Sequence, residues 1–103
     1  MSYTRHMRHG EYKMPGGKLV VADLDVRDDL IASVQISGDF FLEPDSALAD
    51  IDRALLDAPC TASTEDLAAR ISAALDPRVQ MFGISAQAVA VAVRRAIDGE
   101  GTP

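Results

Sequence analysis

Tryptophan is missing from the 103 residues, cysteine occurs once, histidine twice, and the aromatic residues together make up only 5%. The lone thiol, Cys60, has no internal disulfide partner and no second cysteine for a CxxC pair or a thiolate zinc site, so a reducing compartment is expected. Both histidines, His6 and His9, fall in the first ten residues. A Ser-His-Asp or Cys-His machine would therefore lack its base in the body of the domain. No apolar run approaches the roughly 18 residues of a membrane span, and MSYTRHMRHG has no apolar signal segment; a cytoplasmic protein without membrane contact is predicted. A net charge of -6 and a pI near 4.6 argue against a nucleic-acid partner, which needs a broad basic face.

What is present is a chain that is 48% hydrophobic, long enough for one small core that buries roughly two thirds of the unfolded surface. The charge is uneven. The first twenty residues carry Arg5, Arg8, Lys13 and Lys18 against Glu11 alone, whereas residues 21–60 carry ten acids against Arg27 and Arg53. The acids recur at strand or helix spacing, as expected of solvated faces rather than of a metal cage.

Residues 1–10 show no periodicity and read as a flexible arm, residues 11–98 as one domain, and residues 99–103 as a tail. In LVVADLDV, Val20, Ala22, Leu24 and Val26 alternate with Asp23 and Asp25, the period of a half-buried strand. After Arg27-Asp28-Asp29, Ala32, Val34 and Ile36 alternate with Ser33, Gln35 and Ser37, which predicts an antiparallel hairpin. Glu11 to Met14 reads as a short edge strand, and Phe40 to Leu42 as a continuation of the sheet after a kink at Gly38.

The period then lengthens. Leu48, Ile51 and Leu55 mark an amphipathic helix, with Pro44 and Asp45 suited to its first turn. A second helix is capped by Ser63 or Thr64 and faces Leu67, Ile71 and Ala74 or Leu75 inward. VQMFGI is a brief strand or a packed connector, with Met81 and Phe82 in the core. Ser85 caps a third helix with a Val89, Val93, Ala96 and Ile97 stripe. The fold class is α+β: a small antiparallel sheet of two or three strands in the N-terminal half, covered on one face by three helices.

Two stretches stand apart. In Pro15-Gly16-Gly17-Lys18, two glycines permit positive φ and close backbone approach, and their amides can form an anion-binding concavity beside a fixed cation. A plain hairpin turn with an exposed lysine fits the same letters. In SGDFFLEP, Gly38 marks a bulge or a tight approach. Adjacent Phe40 and Phe41 must point to opposite faces, one into the core and one toward a partner.

Taken in order, HGEYKMPGGKLV, the hairpin, ISGDFFLEP, the amphipathic helix and the late MFGIS before the last helix closely resemble the C-terminal accessory domain of lipoate-protein ligase, over about residues 9–98. The large catalytic domain of that family, with its lipoate pocket and ATP site, is not in this sequence. The chain thus resembles the form encoded separately, the accessory subunit of a bipartite ligase, inactive alone and acting in trans. The resemblance implies a heterodimer with a catalytic chain that uses lipoate, ATP and Mg2+, none of them bound by this chain alone. That chain would activate lipoate as lipoyl-adenylate and pass it to a lysine of acceptor domains in 2-oxoacid dehydrogenase or glycine cleavage complexes. It marks Gly16, Gly17 and Lys18, with Lys13 beside them, and Gly38, Asp39, Phe40 and Phe41 as residues that complete the partner's active site or form the partner interface. No catalytic residue and no metal ligand is assigned.

Two other functions fit the size and element order. A sulfur-transfer or iron-sulfur scaffold protein shares this SufE/NifU-like two-layer architecture, but it needs a nucleophilic or ligating cysteine, for which Cys60 is poorly placed. A free-standing binding module for lipoyl domains would need no ligase at all.

Overall fold

The computed structural model describes residues 8–16 and 18–99. Strands β1 (Arg8–Lys13), β2 (Leu19–Arg27) and β3 (Leu30–Gly38) form an antiparallel sheet in the order β1-β2-β3. The chain continues through β4 (Phe41–Glu43), α1 (Ala47–Leu55), α2 (Thr64–Ala74), β5 (Gln80–Phe82) and α3 (Ala86–Asp98). The predicted arm over residues 1–7, the turn glycine Gly17 and the tail from residue 100 lie outside the described residues.

The alternation in β2 has its expected consequence. Val20, Ala22 and Leu24 are fully buried, as are Ile31 and Ile36 of β3, while Asp23, Asp25 and Gln35 lie on the opposite face. Helices α1 and α3 cover the buried face, and α2 packs on both of them through Leu67 and Ile71. Asp28 (φ 54°) and Asp29 (φ 65°) join β2 to β3. Positive φ at both central residues is the type I′ geometry whose twist matches that of the strands.

The free edge of β3 is covered by chain leaving α1. Ile31 donates its N–H to the Ala58 carbonyl (2.9 Å), Asp57 donates to Ile31 (2.9 Å), and Cys60 donates to Asp29 (2.8 Å). Further along that edge the Asp52 carboxylate accepts the Ile36 amide at 3.2 Å. Burial pushes the Asp52 carboxyl up, and the bond from Ile36 only partly offsets it. Edge groups that would otherwise invite another strand are thereby satisfied.

Ser63 accepts the Asp66 amide at the start of α2, and Ser85 accepts the Ala88 amide at the start of α3. Gly99, with φ 75°, ends α3 in the left-handed conformation favoured there. Arg94 ties α3 to the loop after α1 by donating to the carbonyls of Cys60 (2.6 Å) and Ala62 (3.0 Å), with Asp98 accepting from its other nitrogen at 2.5 Å.

Several expectations need correction. Arg8, His9 and Gly10 are not part of an arm: β1 begins at Arg8 and packs on α3. Arg8 donates to the Ile97 carbonyl (2.6 Å), Arg95 donates to the Glu11 carbonyl (2.9 Å), and the Arg95 guanidinium lies over the Tyr12 ring. Phe41 to Glu43 does not extend the sheet; β4 pairs with β5 in a separate two-stranded ribbon, since the chain turns away at Gly38. Met81 and Phe82 are exposed on that ribbon rather than in the core. Pro44 precedes α1, its carbonyl accepting the Ala47 amide, and Leu75, not Ala74, is the partly buried residue at the end of α2.

Candidate functional site

Antiparallel pairing brings the described residues of the marked set, from Lys13 and Lys18 to Gly38 and Asp39, to one end of the sheet, where β1 ends, β2 begins and β3 ends. Lys13 is opposite Leu19, and Val20 is opposite Gly38. The connection between β1 and β2 is closed by the Met14 amide donating to the Lys18 carbonyl at 2.7 Å. Gly16 sits at φ 100° with open space around it, so its backbone conformation, not crowding, calls for glycine.

Gly38 answers to both demands. Its φ is 149°, and a Cβ built there would lie 2.1 Å from the Leu19 carbonyl oxygen. The same oxygen accepts the Asp39 amide at 3.0 Å. The SGDFF segment is thereby fastened to the first residue of β2, directly after Lys18. Of the adjacent phenylalanines, Phe40 packs against the core and Phe41 faces outward, where its ring stacks on Phe82 at 4.7 Å and 17°.

The third stretch at this end is MFGIS. Gly83 has φ 78°, and a Cβ there would meet the Lys18 Cγ at 3.0 Å and Cδ at 3.3 Å. The aliphatic stem of Lys18 therefore runs over the Gly83 backbone, next to the Phe41–Phe82 stack. Lys13 and Lys18 are exposed cations here, with Asp39 and Glu43 as exposed acids. Such an edge can present a cation, backbone amides and an aromatic plate to a second molecule. It holds no nucleophile-base pair. Among the described residues no three His, Cys, Asp or Glu side chains converge on a metal.

Cys60 lies at the opposite end of the sheet, bonded to Asp29 of the tight hairpin, roughly 26 Å away along the length of β2. It is a partly buried free thiol that packs against the hydrophobic core. An open depression of about 540 Å³ beside α2, lined by Pro59, Ala62, Asp66 and Arg70, likewise contains no catalytic set. No helix among the described residues is long and apolar enough to cross a membrane.

Sequence reading overlooked one polar cluster. His9 on the open face of the sheet lies between Asp23 (Nδ1 to Oδ1, 2.6 Å) and Glu11 (Nε2 to Oε2, 2.7 Å). Residues i and i+2 on a strand share a face, so the spacing His9-x-Glu11 carried the signal. The hydrogen bond to Glu11, then that to Asp23, raises the His9 pKa above 6.5. The imidazolium, with both nitrogens donating, fits the geometry. Its contribution to stability is fully present below the unfolded value and is lost as pH rises through the raised folded one. A proton NMR titration should place the His9 midpoint above 6.5, and Glu11→Gln should lower it more than Asp23→Asn; a wild-type midpoint at or below 6.5 would contradict the bridge. The thermal midpoint of the wild type should also decline across that window relative to His9→Gln, modestly because the ring is 37% exposed.

No protein-family model matches the chain, and no curated protein matches it. A solved structure does share its fold. It comes from an archaeal lipoylation system, a bi-partite lipoate protein ligase and its E2 lipoyl domain from Thermoplasma acidophilum, with TM-score 0.70 and 22% sequence identity. The likeness covers 88% of this chain and 98% of that one, so the two share one compact α+β architecture nearly end to end.

Proposed function

We propose that this chain is the accessory subunit of a two-chain lipoate-protein ligase, required with a separate catalytic chain for the ATP-dependent activation of lipoate. The observation that carries this reading is the meeting of Lys18, Gly38-Asp39 and Gly83 at one sheet end that has a cation and an aromatic plate but no catalytic set of its own. The structural likeness to a chain of a bi-partite ligase system supports it.

In the reaction, a lipoate carboxylate oxygen attacks the α-phosphorus of ATP; the new P–O bond forms as the bond to the bridging oxygen breaks and pyrophosphate leaves. The amine of an acceptor lysine then attacks the acyl carbon, and AMP departs. Both substrates sit in the partner's pocket. Among the described residues the carboxylates do not converge on a site that would fit Mg2+, and no step here involves the ion. The role of this chain is to close that pocket with the β1–β2 turn, bringing the Lys18 ammonium to charge that builds on the α-phosphate and the departing pyrophosphate. A fixed cation in a water-poor site is effective there because it needs no reorganisation.

Lipoate-dependent ATP-pyrophosphate exchange should appear only when both chains are mixed. Lys18→Ala should slow it by about 100-fold, the cost of removing one preorganised donor, while transfer from preformed lipoyl-adenylate stays near normal. Equal slowing of both steps would remove the role of Lys18. Turnover by the isolated chain, or a lipoyl group found on its own Lys13 or Lys18, would overturn the accessory reading.

A further inference from the structure

We infer that Gly83 is a positioning residue for Lys18, its missing side chain forming the seat that aims the ammonium, an inference that rests on the function proposed above. Gly83 stands in MFGIS, a stretch that the accessory reading otherwise leaves without a task. The three heavy atoms nearest a Cβ built at Gly83 all belong to Lys18: Cγ at 3.0 Å, Cδ at 3.3 Å and Cε at 3.5 Å. The lysine stem thus fills the space that any L side chain at this position would take. The other described glycines differ. A Cβ at Gly16 or Gly99 meets open space, one at Gly10 meets helix backbone, and one at Gly38 meets the Leu19 backbone and the Phe40 ring.

Both ends of the contact are fixed. The Lys18 carbonyl accepts the Met14 amide at 2.7 Å, and the next carbonyl, that of Leu19, accepts the Asp39 amide at 3.0 Å. On the other side Phe82 pairs with Phe41, Ile84 is buried, and Ser85 caps α3, so the backbone at Gly83 is pinned from both directions.

A lysine loses much rotamer freedom when its ammonium must be brought to one spot. Here Cγ, Cδ and Cε already lie against a fixed backbone, so most of that loss precedes any contact with a ligand. Among the described residues no carboxylate pairs with the Lys18 ammonium, so its charge stays available. A cation held in advance and not neutralised is the form in which charge is effective at a transition state.

The test uses the whole chain, alone and with the purified catalytic chain of the same ligase. In the isolated chain, proton NMR should show cross-relaxation between the Gly83 Hα pair and the Lys18 methylenes. Gly83→Ala should slow lipoate-dependent pyrophosphate exchange by about 10-fold, less than loss of the cation itself, because the displaced stem still carries an ammonium. It should also lower the thermal midpoint by roughly 4–8 °C, the cost of an L side chain at the φ of 78°. Gly83→Asn should recover most of that stability, since asparagine tolerates the left-handed region. It should nevertheless exchange as slowly as the alanine variant, because its Cβ occupies the seat. In a Lys18→Ala background both substitutions should change exchange by less than about 2-fold. Equal slowing in the two backgrounds, or exchange that returns together with stability in Gly83→Asn, would show that Gly83 serves the backbone alone. Absence of the NMR contact would remove the seat. Each of these results leaves the accessory function standing, whereas mixed wild-type chains without exchange overturn that function and with it the task given to Gly83.

Discussion

Gly10→Ala should lower the thermal midpoint by roughly 12–24 °C, the equivalent of about 3 kcal/mol in a domain of this size. Gly10 is buried on the face of β1 turned toward α3. A Cβ there would lie 2.3 Å from the Ala96 amide nitrogen and 2.4 Å from the Ala92 carbonyl oxygen, where ordinary contact begins at 3.4 Å. Both opposing atoms belong to helix backbone, which cannot rotate aside as a side chain can. Relief requires β1 to lift from α3, and that strains every other tie between them: Arg8 to Ile97, Arg95 to Glu11, and the Arg95 guanidinium over Tyr12. Hydrogen exchange should accelerate first in the β1 amides. A midpoint within a few degrees of the wild type would show that the strand and helix are not in backbone contact.

The same residue shows why part of the fold was legible and part was not. Strand β2 announces itself because Val20, Ala22 and Leu24 alternate with Asp23 and Asp25, so burial leaves a period-two trace. The helical stripes of Ile51 and Leu55, Leu67 and Ile71, and Val89 and Val93 do the same at longer spacing, and all six are buried. In β3 the register shift opposite Asp25 and Val26 turns Ile31 inward and leaves Ala32 exposed, so the expected Ala32, Val34 and Ile36 face holds only in part. In β1 the inward residue is a glycine. Backbone packed on backbone leaves no apolar residue to count, and the first half of the strand reads as an arm.

The ribbon is hidden for another reason. Phe41–Glu43 and Gln80–Phe82 are three residues each and pair across the whole helical segment α1–α2. No local pattern specifies such a contact, and the aromatic letters of Phe82 are as compatible with a core as with a surface plate. Within the candidate site, the demand of Gly38 for a tight approach and the split between Phe40 and Phe41 were readable from residue chemistry. The stem of Lys18 resting on Gly83 was not, because it joins residues far apart in the chain.

Gly38→Ala is the variant expected to separate folding from function most sharply. Two costs combine at this position. The φ of 149° lies in a region that L side chains rarely adopt, and the new methyl would meet the Leu19 carbonyl oxygen at 2.1 Å and the Phe40 ring at 2.9 Å. Together they should cost about 3 kcal/mol. The core of Ile51, Leu67, Ile71, Val89 and Val93 is built mainly from the helices, so the variant should remain folded at moderate temperature. The break falls where β2 leaves Lys18 and the SGDFF segment begins. Moving Gly38 off Leu19 loosens the Asp39 amide from the Leu19 carbonyl and shifts Phe40, and with it Phe41 and its stack on Phe82. If the accessory function holds, exchange with the catalytic chain should fall by at least about 100-fold even at saturating concentration, because Lys18 and the plate are no longer held in one frame. Circular dichroism below the lowered midpoint should still report the native helical content. Wild-type exchange from a variant that has lost its expected stability would mean that the junction of Gly38 and Leu19 serves the fold alone and does not hold the site together.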